Sequence, residues 1–234
     1  MTVEIWSDVM CPFCYIGKRK FEAALNQFKH KDQINIVWKS FQLNPNTKSE
    51  PTKSTIQHLS EAKGWSLDET RRITGNVTAM AHEVGLTFNF DKAVVANSWD
   101  AHRLIQLAKQ HGLGNAVEEA LFRAYFTEGR DTADYATLLE LGTSIGLNPT
   151  DVEQLLHSDQ FGEAVDRDIY EARQVGVQGV PFFVLNRKWA ISGAQPSETF
   201  LNALETAWPE WEKAQPILTE IQADGPVCVP GEVC

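Results

Sequence analysis

The chain has 234 residues, 43% of them hydrophobic and 22% charged, and a formal net charge of −10. That balance fits a globular protein and excludes a disordered chain. With no basic stretch to meet phosphates or anionic lipid, it also argues against nucleic-acid and membrane partners. The four cysteines form two close pairs, Cys11 with Cys14 and Cys228 with Cys234, at opposite ends of a chain too long to be a disulfide-stapled mini-fold.

Val3, Ile5 and Trp6 predict a short buried strand ending near Ser7. The first cysteine pair follows at once. Phe21, Ala24, Leu25 and Phe28 then fall at helical spacing, on a helix that should begin at Pro12, since proline suits a first turn. Ile34 to Trp38 reads as a second buried strand, so the first forty residues make a βαβ unit with a parallel pair. Asn44 to Ser54 is a polar loop, after which strand signals stop for over a hundred residues.

Helical stripes recur at Ala101/Leu104/Ile105/Ala108, at Val117/Ala120/Leu121/Ala124, from Tyr135, after an Asn148 cap with Pro149 in the first turn, and at Phe161/Ala164/Val165/Ile169. Strand character returns at Pro181–Leu185, turns through Asn186-Arg187-Lys188 into Trp189–Ile191, and yields to a last helix from Pro196 to Trp208. The expected architecture is α/β: a four-stranded domain built from residues 1–44 and 170–215, a large all-helical insertion over 45–169, and an irregular tail over 216–234. Trp6, Trp38 and Trp99 are expected core aromatics. The N-terminus has neither a basic nor an apolar leader segment, and no run is long enough to span a membrane, so a reducing cytoplasm is the expected location.

Cys11-Pro12-Phe13-Cys14 is a CxxC at a strand-to-helix junction. There Cys11 meets unpaired backbone N–H groups and the positive end of the helix dipole, which favour a thiolate. A thiolate is the attacking species in disulfide exchange, and Cys14, one turn on, is placed to attack the mixed disulfide. Pro12 and Phe13 add no charge of their own. The alternatives are half of a zinc site or two inert core cysteines, but no second CxxC or paired-histidine motif lies in the same unit.

Gly179-Val180-Pro181-Phe182 opens the later strand, where a proline belongs at the start or an edge. A cis Val180–Pro181 bond would present the Val180 backbone to an extended peptide. His102, in the insertion, either tunes the cleft or packs its helix. Asp8 either relays a proton to Cys14 or caps the first turn. Cys228 and Cys234 enclose five residues with a Pro-Gly turn: a second redox pair, a frayed tail, or a zinc half-site.

Taken together, the strand ending in Ser7-Asp8, the CPFC pair followed by Tyr15-Ile16-Gly17, and Gly179-Val180-Pro181-Phe182-Phe183 resemble the thioredoxin-like oxidoreductases of the DsbA family. Asn97-Ser98 with Ala101-His102-Arg103-Leu104, and Ile191-Ser192-Gly193-Ala194-Gln195, look like its FrnE-like branch. The resemblance implies a thioredoxin-like fold with a helical insertion, Cys11 as nucleophile, Cys14 as resolving cysteine and Pro181 as a cis-proline beside them. It implies protein or peptide disulfides as substrates and no required cofactor, with glutathione or a thioredoxin system as candidate redox partners. Two other readings compete: a glutathione-dependent isomerase or transferase on the same scaffold, and a peptide-holding chaperone with incidental cysteines.

Overall fold

The computed structural model describes residues 1–215. In chain order it runs β1 (Thr2–Ser7), α1 (Pro12–Gln27), β2 (Asn35–Ser40), β3 (Glu50–Ser54), α2 (Thr55–Lys63), α3 (Leu67–His82) and β4 (Val94–Val95). Then come α4 (Trp99–Gln110), α5 (Gly114–Phe122), which continues into a π-helical turn at Arg123–Glu128, α6 (Tyr135–Ser144), α7 (Pro149–Leu156) and α8 (Gly162–Gln174). β5 (Phe182–Leu185), β6 (Trp189–Ser192) and α9 (Ser197–Lys213) finish the described chain.

Val3 and Ile5 point to one face of β1, Glu4 and Trp6 to the other, and all four are buried. A strand covered on both faces belongs inside a sheet, and β1 is central in the order β2–β1–β5–β6. β2 is parallel to it, with Ile5 opposite Trp38. β5 is antiparallel, with Ile5 opposite Phe183, and β6 closes the far edge. On the Val3/Ile5 face, α1 and α9 pack together through Phe21, Phe183 and Phe200, whose ring centroids lie 4.6 to 5.7 Å apart. Pairs of that kind contribute about 0.5–1.5 kcal/mol each beyond simple burial.

On the other face, α8 covers Trp6. The Trp6 indole donates to the Asp168 carbonyl at 2.9 Å. The Asp168 side chain accepts from Lys39 Nζ at 2.9 Å, Ser40 N at 3.0 Å and Gln106 Nε2 at 2.7 Å. That one buried carboxylate therefore ties β2, α4 and α8 together. The hairpin turn between β5 and β6 places Asn186 (φ 49°) and Arg187 (φ 57°) in the left-handed region. Arg187 is held there by Glu4 and, at 2.6 Å, by Glu171.

The predicted order of outer elements is observed, down to Pro149 in the first turn of α7 and the Asn148 side chain accepting from Thr150 N at 2.8 Å. Two differences stand out. The insertion is not all-helical: β3 and β4 form a small antiparallel ribbon of irregular register. It escapes a periodicity reading because β3 is polar and proline-bearing and β4 has only two residues. The last helix runs on through Pro209 to Lys213. Cys228, Cys234 and the rest of the tail from 216 onward lie outside the described residues.

Candidate active site

β1 ends in the middle of the sheet, and the chain turns at once into α1. Cys11 is the N-cap of that helix, its N–H donating to Asp8 O at 2.9 Å, and Pro12 fills the first turn where no N–H partner exists. The first turn carries no acidic side chain to oppose a thiolate. The Cys11 sulfur lies 3.5 Å from the Val180 carbonyl, and the Val180–Pro181 peptide is cis. The Val180 N–H has no protein partner among the described residues. Chain segments 169 residues apart thus meet at one sulfur.

The two thiols sit in different surroundings. Cys11 is 4% exposed at the edge of the site; Cys14 is 1% exposed beneath it. Burial pushes the Cys14 thiol well up, the hydrogen bond and charge of Cys11 push it the same way, and the Asp8 backbone and Ser7 hydroxyl beside it oppose weakly. Cys14 is therefore held as a thiol.

Gly17, also on α1, sets how closely the Pro181 segment approaches. A Cβ there would meet Pro181 Cγ at 2.9 Å, with Ala194 and Phe183 each at 3.5 Å. Neither the motif nor periodicity singles out this requirement, because it is a contact between distant segments.

The insertion is fastened to α1 just past the dithiol. Tyr15 stacks on Phe122 (centroids 4.9 Å) and donates to Glu119 Oε1 at 2.6 Å. Lys18 Nζ and Arg19 Nη1 each reach Glu119 Oε2 at 2.8 Å. Those cations and the Tyr15 hydroxyl outweigh burial and draw the Glu119 carboxyl down to about 2. Between the fastened insertion and the thioredoxin-like face lies a cavity of about 410 Å³. It is lined by Met10, Pro12 and Phe13 from the dithiol side and by Leu59, Trp65, Val77, Phe90 and Tyr125 from the insertion. Phe13 is 39% exposed at its mouth.

His102 does not line this cavity. It is wholly buried on α4, with Nε2 3.5 Å from Asp8 Oδ1. The Asp8 side chain does not cap α1; it accepts from Met10 N at 3.2 Å and from Leu43 N at 2.7 Å, pinning the loop that leads to Cys11 against the end of β2. Glu118 on α5 joins the same buried region. It was hidden in the sequence beside the Val117/Leu121 stripe, although Glu118, Phe122 and Phe126 form a second stripe at i, i+4, i+8 that carries a lone carboxylate. Among the described residues no group of histidine, cysteine and acidic side chains is arranged to hold a metal ion, and no helix is long and apolar enough to cross a membrane.

A central parallel β1–β2 pair, a helix starting at a CxxC and a cis-proline segment against it define a thioredoxin-like dithiol fold. Residues 2–205 match the model of the DSBA-like thioredoxin domain, and the chain belongs to that family. A crystal structure of a Streptomyces coelicolor protein, SCO1869, described as a probable DsbA oxidoreductase, is 37% identical, with 99% of this chain and all of that one covered and a TM-score of 0.85. The Pseudomonas aeruginosa cytosolic disulfide reductase DsbM, solved with GSH, shares the fold at 20% identity, covering 88% of this chain and 98% of its own, with a TM-score of 0.62. The uncharacterized Bacillus subtilis protein YwbO is 24% identical over 204 residues, 86% of this chain and 94% of its own.

Proposed function

We propose that this chain is a thiol–disulfide oxidoreductase of the reductase or isomerase type, acting on protein or peptide disulfides. The observation that carries the reading is the placing of Cys11: at the N-cap of α1, 3.5 Å from the Val180 carbonyl and beside Pro181, with Cys14 buried one turn below. In the working cycle the Cys11 thiolate attacks a substrate disulfide. A Cys11–substrate S–S bond forms and the first substrate thiolate leaves. Cys14 then loses its proton and attacks Cys11; the Cys11–Cys14 bond forms and the second substrate thiolate leaves. The substrate disulfide is reduced and the enzyme dithiol oxidised, with no organic cofactor or metal needed.

The Val180 N–H, without a protein partner among the described residues, offers a donor to an extended peptide, and the cavity beside Pro12 and Phe13 accommodates an apolar neighbour of the reacting cysteine. Glutathione or a thioredoxin-type protein would return the electrons; the GSH-bound DsbM structure lends support to glutathione. We further place the chain in the FrnE-like branch, in the cytoplasm, with Cys228 and Cys234 as a second pair able to exchange with the first.

Insulin reduction by wild type, Cys11→Ser and Cys14→Ser tests the reading. Wild type should turn over, Cys11→Ser should be inactive, and Cys14→Ser should stall as a mixed disulfide. Full glutathione-dependent activity in Cys14→Ser would favour the isomerase or transferase reading instead. Disulfide turnover that survives Cys11→Ser, or none in wild type, would overturn the proposal.

A further inference from the structure

Residues 42–49, between β2 and β3, form a strap with a cavity on either side. Leu43, Asn44 and Thr47 line the inner cavity of about 410 Å³, together with Pro12 and Phe13 from the dithiol helix. Gln42, Pro45 and Ser49 line an outer cavity of about 680 Å³, bounded also by Trp99, Ile169 and Arg173. The strap has no regular secondary structure, and Leu43 to Asn46 are exposed. With open space behind it and little burial to hold it, the strap stays where its hydrogen bonds put it.

Those bonds are few. The Leu43 N–H donates to Asp8 Oδ2 at 2.7 Å. Among the described residues, every other hydrogen bond from residues 43–48 to the rest of the chain goes to Asn97, in the turn between β4 and α4. Asn97 Nδ2 donates to Pro45 O at 3.2 Å and to Thr47 O at 2.8 Å. Its Oδ1 accepts from Gln42 Nε2 at 3.2 Å and from Trp99 N, the first N–H of α4, at 2.9 Å. Its own N–H donates to Ser49 Oγ at 3.0 Å. A side-chain amide has two donor hydrogens and two acceptor lone pairs, and here all four are engaged.

We propose that Asn97 determines substrate selectivity as a positioning residue: it fixes the strap as a wall of the inner cavity, and that wall selects disulfides whose reacting cysteine has a large apolar neighbour. Asn97 does not line the inner cavity and acts through the strap alone. The proposal rests on the dithiol reading and on the apolar residue which that reading seats beside Pro12 and Phe13. Leu43, 52% exposed, and Phe13, 39% exposed, are the apolar surface such a residue would cover. Released from Asn97, the strap has room to fall back into the outer cavity, and the seated residue loses contact on that side.

Asn97→Asp isolates this role. Aspartate keeps the shape and both acceptors, so the bonds from Trp99 N and Gln42 survive, but it cannot donate to Pro45 O or Thr47 O. Two dimeric peptide disulfides, alike except for phenylalanine or glycine beside the cysteine, are reduced by the full chain. Wild type should favour the phenylalanine peptide about tenfold or more in kcat/KM, and Asn97→Asp should lose about fivefold or more of that preference, through KM and not kcat. Hydrogen exchange read by mass spectrometry should show residues 42–49 exchanging about tenfold faster in the variant, with α4 unaltered. If Asn97→Asp does not fold, Asn97→Ser takes its place, since its hydroxyl can still accept from Trp99 N. An undiminished preference for phenylalanine, unaltered exchange in the strap, or an equal loss on both peptides would each overturn the role of Asn97 and leave the dithiol reading intact. Wild type without a preference for phenylalanine would refute the seated apolar residue, and wild type that reduces neither peptide would refute the dithiol reading itself.

Discussion

Replacing Glu118 with glutamine should make the protein better able to withstand alkaline pH. The Glu118 carboxyl is raised from an ordinary 4.5 to about 7; burial is the largest cause, opposed by His102 and Lys18 and assisted by Asp8. Between those two values the folded chain binds a proton that the unfolded chain has released, so stability falls as pH rises through that window. That rise from 4.5 to about 7 corresponds to about 3 kcal/mol once pH exceeds 7. Glutamine keeps the shape and cannot ionise, so this slope disappears.

Urea unfolding of wild type and Glu118→Gln at pH 5 and pH 8 isolates the effect, because titrating groups not coupled to Glu118 cancel in the comparison. The variant should gain about 2–3 kcal/mol on wild type between those pH values, or about 4–12 °C in Tm for a chain of this size. Parallel profiles would refute the reasoning. So would a variant that loses ground at pH 8, which would mean that Glu118 is ionised and firmly paired with His102.

Two further substitutions probe the scaffold. Gly17→Ala introduces a Cβ 2.9 Å from Pro181 Cγ, a ring atom that can retreat only by a change of pucker or a shift of its segment. The better helix propensity of alanine, about 1 kcal/mol, offsets part of an overpacking cost of about 1–3 kcal/mol, so stability should change little while insulin reduction drops about tenfold or more as Pro181 is displaced from Cys11; unaltered turnover would show that this contact does not set the site. Asp168→Asn removes the charge that Lys39, 14% exposed, meets at 2.9 Å and puts an amide N–H₂ among donors, weakening the link from β2 to α4 and α8. The expected loss is about 3 kcal/mol by chemical denaturation, and a loss below about 1 kcal/mol would show that Glu171 alone suffices for Lys39.

What was legible in the sequence is what depends on neighbours along the chain. The βαβ unit, the cysteine pair at its junction, the capped start of α7 and the closing hairpin all follow from spacing and local preference. The site residues that escaped notice depend on approach between distant segments. Gly17 is an ordinary helical glycine until Pro181 is set against it. Glu119 reads as a solvent-facing charge until Tyr15, Lys18 and Arg19 converge on it. His102 shows the intermediate case. Ser98, just before α4, and His102 and Gln106 on it recur at every fourth residue, a buried polar seam that the apolar stripe beside it conceals, and only the fold reveals what the seam meets: Gln42, Asp8 and then Ser40 with Asp168.

A dithiol that works by two successive attacks needs its sulfurs treated in opposite ways, and the insertion supplies half of that asymmetry. At the outer side, Cys11 stands at the α1 N-terminus beside the Val180 carbonyl, and the cavity wall gives an incoming substrate somewhere to rest. At the inner side, burial keeps Cys14 protonated, which protects it until the mixed disulfide forms but leaves the question of where its proton goes. An apolar side chain at position 118 would extend the Phe122/Phe126 stripe and remove an unpaired carboxyl from the interior. The protein instead carries a glutamate there, its carboxyl pushed up to about 7 chiefly by burial.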